Sequence, residues 1–111
     1  MYNRLRLPFH LECPACGERD RWWLQFRFGT LTLADYELGH RVNWLRRGLK
    51  EGRPGLGRVL IQGTLEECPH CRADLGPAHE IWIIEVRDDV FATVVEDTSG
   101  QGYWQEFWRV A

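Results

Sequence analysis

The chain has 111 residues, 44% of them hydrophobic and 13% aromatic, with a formal net charge of −2. That is enough for one domain burying roughly two-thirds of its unfolded surface, and it holds no apolar run long enough to span a membrane as a helix. The mild net charge hides a split: residues 1–63 carry 11 basic and 6 acidic side chains, residues 64–111 carry 3 basic and 10 acidic. Such a split either forms complementary faces within the fold or presents a basic edge and an acidic edge to partners.

In chain order, Leu5, Leu7, Phe9 and Leu11 alternate with Arg6, Pro8, His10 and Glu12. A period of two predicts a half-buried strand, and Pro8, which has no backbone donor, predicts an edge or a bulge. Cys13-Pro14-Ala15-Cys16-Gly17 interrupts the pattern. Alternation resumes with Trp22, Leu24, Phe26 and Phe28 set between Trp23, Gln25 and Arg27. Leu31-Thr32-Leu33 reads as a further extended piece, and so does Asp35–Trp44, broken at Gly39.

From Leu45 to Gly57 the apolar period is lost. Gly48, Gly52, Pro54, Gly55 and Gly57 break the backbone, while Arg46, Arg47, Lys50 and Arg53 dominate the charge. We read a mobile basic loop, 45–57, inserted into a sheet. Arg58–Leu65 returns to strand, and Cys68-Pro69-His70-Cys71 follows. Ile81–Arg87 and Val90–Glu96 are rich in β-branched residues and are joined by Asp88-Asp89, the pattern of a hairpin with a tight turn. In the tail, Tyr103, Trp104, Phe107 and Trp108 fall on one face of a helix. The expected architecture is a single, mainly β domain over residues 1–111. It is an antiparallel sheet or partly open barrel of about seven strands with a short C-terminal helix.

All four cysteines lie in the two C-P-x-C turns. Two residues between cysteines let both sulfurs of a tight turn face one ion, and a second such turn completes a tetrahedron. Here the sequence resembles the zinc-ribbon proteins, whose paired knuckles hold a structural zinc. The resemblance implies one Zn²⁺ on Cys13, Cys16, Cys68 and Cys71. It covers the knuckles and their flanks, not the 51 residues between Cys16 and Cys68. Two other readings compete. Cys68-Pro69-His70-Cys71 also resembles the motif of thiol-disulfide oxidoreductases, but that chemistry wants a helix after the first cysteine, and Gly76-Pro77 follows too soon. Two structural disulfides would need an oxidising compartment, whereas residues 1–11 lack a signal-like apolar run. A cytoplasmic location is therefore expected.

Four cysteines close a metal site, leaving no position for a reacting water. No histidine pair, nucleophile elbow or phosphate-binding loop is present in the sequence. The chain is accordingly expected to be non-catalytic and to need no small-molecule substrate. Two binding features remain. The basic loop, with Trp44, Arg46, Arg47, Arg53 and the adjoining Arg58, suits phosphates and a stacked base. The aromatic tail, Trp108 above all, has the residue types of protein interfaces. A protein partner (an adaptor, inhibitor or immunity-type role, or a subunit of a complex) is the first expectation. Nucleic acid bound through residues 45–58 is the alternative.

Overall fold

Trp22, Leu24, Phe26 and Phe28 are all buried, and Trp23, Gln25 and Arg27 between them are half-buried, as a period of two requires. The computed structural model describes residues 1–99 and 105–111. Among these it has eleven strands: β1 (Asn3–Arg6), β2 (Leu11–Glu12), β3 (Arg19–Asp20), β4 (Trp23–Phe26), β5 (Gly29–Thr30), β6 (Asp35–Tyr36), β7 (Lys50–Glu51), β8 (Arg58–Leu65), β9 (Ile81–Arg87), β10 (Val90–Glu96) and β11 (Trp108–Val110). A single 3₁₀ turn, Pro77–His79, is the only helical element described, and none is long and apolar enough to cross a membrane.

The main sheet runs β10-β9-β8-β4-β1-β6, antiparallel except for the β1–β6 pair. It curls into a half-barrel. Residues just past β6 reach the opposite edge, where Gly39 N–H donates to Phe91 O at 2.8 Å and Val42 N–H to Asp89 O at 2.8 Å. Inside the curl, Phe91 packs on Tyr36 and Phe26 with ring centroids 4.7 and 5.4 Å away. The predicted hairpin is present as β9–β10. Asp88 and Asp89 hold φ of 50° and 65°, the two left-handed residues that a type I′ turn demands.

The tail corrects the sequence expectation of a C-terminal helix. Residues 105–111 contain no helix; Trp108–Val110 is a strand, and Tyr103 and Trp104 lie outside the described residues. The cause is an open stretch of sheet edge. β4 bonds β8 only at Leu24↔Leu65 and Gln25↔Thr64, then diverges. The same edge of β8 still presents donors and acceptors from Val59 to Ile61, and β11 pairs with them.

The loop expected to be mobile is instead tied to the body. Its Lys50 and Glu51 form β7 against β5. Leu45 N–H donates to Thr30 Oγ1 at 2.8 Å, and Gly52 lies so close to Phe28 that a Cβ there would sit 2.3 Å from the ring. Nor is Leu31-Thr32-Leu33 a strand. Leu33 is left-handed, at φ 56°, and buried Asn3 holds the segment through its side-chain amide.

Candidate metal centre

The two cysteine turns meet because of the short β4–β8 pairing. The first knuckle is framed by the β2–β3 ladder and leads into β4. The second leaves the end of β8, where Glu66 N–H donates to Trp23 O at 2.9 Å. Residues 52 or more apart in sequence thus come to one corner of the sheet.

Both turns have the same backbone geometry. Gly17 N–H donates to Cys13 O at 2.8 Å and Arg72 N–H to Cys68 O at 2.9 Å. In return Cys13 N–H reaches Glu18 O, and Cys68 N–H reaches Ala73 O, each at 2.9 Å. The residue after the second cysteine is left-handed in both, Gly17 at φ 75° and Arg72 at φ 65°. Glycine accepts this at no steric cost, whereas arginine does not. Only the first turn therefore advertised its shape in the sequence.

The four Sγ atoms lie within 4.8 Å of one another, with Cys13–Cys71 at 3.5 Å and Cys16–Cys68 at 3.8 Å. A disulfide requires about 2.05 Å, and all four cysteines are free. A tetrahedron with metal–sulfur arms of about 2.3 Å has edges of about 3.8 Å. The cluster fits such a site and could hold one metal ion. Cys13 and Cys68 are buried against the core, while Cys16 and Cys71 face outward.

The thiols are electrostatically uneven. Backbone N–H groups of Cys16 and Ala15, with Cys71 nearby, bring Cys13 down to about 7. At Cys16 the Glu18 N–H acts downward, but burial and the neighbouring sulfurs prevail and push it up to about 12. Four thiolates at this spacing repel one another unless a cation sits among them, so the cluster favours a positively charged occupant.

His70 takes no place among the sulfurs. Its Nε2 lies 2.9 Å from Asp20 Oδ2, tying the second knuckle to β3, and its backbone N–H points at Cys68 Sγ from 3.4 Å. Asp20 also receives the Arg21 N–H, and with His70 and Arg6 this holds its carboxyl below the usual range. The helix that thiol-disulfide exchange wants is not formed here; residues 72–76 contain no helical element, and Pro77–His79 is a single 3₁₀ turn.

The residues expected to bind a partner divide. Trp44 and Trp108 are half-buried and both pack edge-on to Phe28, at 5.2 and 5.6 Å between centroids. Arg58 holds the carboxylate of Glu85. Arg46, Arg47 and Arg53 are exposed. Sequence reasoning missed Glu85, which is buried on β9 between Arg58 and Arg87. Its only signal was an acid inside an otherwise apolar strand. Comparison with protein-family models, curated proteins and solved structures finds no match to this chain.

Proposed function

We propose that the chain is a non-catalytic domain in which a structural zinc, bound by Cys13, Cys16, Cys68 and Cys71, fixes a β scaffold that binds a protein partner. The tetrahedral spacing of the four sulfurs supports this reading above all. Four sulfurs leave no open coordination position for a substrate or a nucleophilic water, so the ion would act on the fold rather than on a reaction. Free thiols suit a reducing compartment, which makes the location cytoplasmic in this reading.

A protein partner is favoured over nucleic acid by the state of the aromatics. Base stacking needs an accessible ring, and Trp44, which immediately precedes the basic loop, is half-buried and already in contact with Phe28.

The purified protein should contain about one zinc per chain, colourless, as tetrahedral thiolate sites hold zinc or iron. Elemental analysis showing no metal and two disulfides, or a coloured iron protein, overturns the assignment. Structural zinc supplies on the order of 10–16 kcal/mol in small metal-folded peptides, against roughly 5–15 kcal/mol for a whole domain. Cys68→Ser should accordingly release the metal and unfold the chain. For the partner, an affinity capture from native cells should yield a stoichiometric protein that survives nuclease. Capture that disappears with nuclease assigns the alternative instead.

A further inference from the structure

Most basic side chains of the body are already neutralised. Arg4, Arg6, Arg21, Arg27, Arg58 and Arg87 each hold a carboxylate. The loop is different. Every residue from Leu45 to Lys50 is exposed, and neither Arg46 nor Arg47 is paired with an acid among the described residues. Leu45 and Leu49 stand 49% and 60% exposed beside these charges.

A recess of about 560 Å³ has the opposite character. Tyr2, Leu33, Asp35, Glu66, Glu67 and Asp74 line it. Arg4 neutralises Asp35 and Glu66 there, which leaves Glu67 and Asp74, both exposed, without an ion pair among the described residues. The two features are neighbours. Leu31 N–H donates to Leu49 O at 2.8 Å, and Leu33 N–H to Tyr2 O at 3.1 Å. Leu31 and Leu33 are separated by at most about 7 Å of extended chain. Leu33, 56% exposed, therefore joins Leu49 to the recess, and Met1, 64% exposed, adjoins Tyr2.

An exposed apolar strip with unpaired positive charge at one end and unpaired negative charge at the other is complementary to its own image. A twofold axis through the strip sets each loop against the other copy's recess, the self-matching that an isologous contact requires. We propose that this face pairs two copies of the chain, the Leu45–Lys50 loop of each seated at the acidic recess of the other. A polyanion such as nucleic acid would meet the arginines, but it would leave the leucines unmatched and be repelled by Glu67 and Asp74. The proposal rests on reading the chain as a protein-binding domain, and names a second copy as a partner.

Sedimentation of the metal-loaded protein, from about 1 μM to about 1 mM, tests it with two charge-swapped variants. Wild type should pass from monomer to dimer across that range and dissociate more readily as salt screens the charges. Arg46→Glu/Arg47→Glu opposes acid to acid, and Glu67→Lys/Asp74→Lys opposes base to base. Each variant alone should stay monomeric with an unchanged circular dichroism spectrum. Their equimolar mixture restores both complementary contacts and should dimerise. A wild type monomeric throughout, variants that dimerise like wild type, or a mixture that stays monomeric would each overturn the proposal. A monomer that binds an oligonucleotide through Arg46 and Arg47 also overturns it. Nuclease-resistant capture of another protein by a monomeric chain would sink the self-pairing while leaving the protein-binding reading intact.

Discussion

Asn3 is the polar residue on which the basic end of the molecule hangs, and its removal should be costly. It is fully buried. Nδ2 donates to the carbonyls of Phe28 and Thr30 at 3.1 Å each, and Oδ1 accepts from the N–H groups of Thr32 and Ala34 at 3.2 Å each. Asn3→Ala strands all four backbone groups. Thr32 is exposed and Ala34 half-buried, so water can reach those two N–H groups, whereas the carbonyls belong to fully buried residues. At about 1–3 kcal/mol for each buried orphan, two carbonyls put the loss near 4 kcal/mol. Urea unfolding of the metal-saturated protein, at fixed free metal, measures it. A loss below about 1 kcal/mol would refute the reasoning. The Asn3→Asp variant supplies a second readout. Its carboxylate would face two carbonyl oxygens, raising its folded pKa above the unfolded value. Stability should then be highest in acid, where the protonated carboxyl can donate to one of the two carbonyls, still below wild type because the other carbonyl is left unpaired, and fall further as pH rises through the raised value. Because Thr30 Oγ1 accepts the Leu45 N–H, Asn3→Ala should also speed amide exchange at Leu45.

Arg72 occupies the left-handed position that Gly17 fills in the other knuckle; Arg72→Gly relieves a strain of about 1 kcal/mol, offset in part by glycine's extra unfolded entropy. A small rise in chemical stability with metal bound is expected, and a loss of more than about 1 kcal/mol would show that the arginine side chain matters there. Glu85, held down by Arg58, whose bond outweighs the desolvation, and by Arg87, contributes stability that is present above the unfolded carboxylate value and lost as pH falls through its lower folded one. Glu85→Gln should flatten the acid limb of the stability profile; an unchanged limb would remove the ion pair from the account.

What was legible in the sequence was whatever a local rule dictates. β9 and β10 followed from β-branched content and a turn tolerant of positive φ, and β4 followed from strict alternation. β11 was not legible, because the same aromatics suit a helix face or a strand. Pairing at β8 decided between them, and the place where β4 leaves β8 is a property of the whole sheet. Asn3 was invisible for a related reason. Nothing in Tyr2-Asn3-Arg4 tells that its amide meets Phe28, Thr30, Thr32 and Ala34, residues 25 or more positions away.

The cysteines were legible because metal chemistry demands a spacing, and spacing survives in one dimension. The surface beside them was not, although its raw material was visible as the charge split. Topology turns that split into a face. Glu67 immediately precedes Cys68, and Asp74 stands three residues beyond Cys71, so the second knuckle carries both unpaired acids of the recess. β5 and β7 carry the basic loop to the same neighbourhood through Leu31. If the cluster holds an ion and the face pairs two copies as proposed, the metal site and the docking surface are one construction. An ion that locks the Cys68–Cys71 turn would also fix where the two carboxylates stand, so that losing it would undo the acidic half of the face together with the fold that carries it.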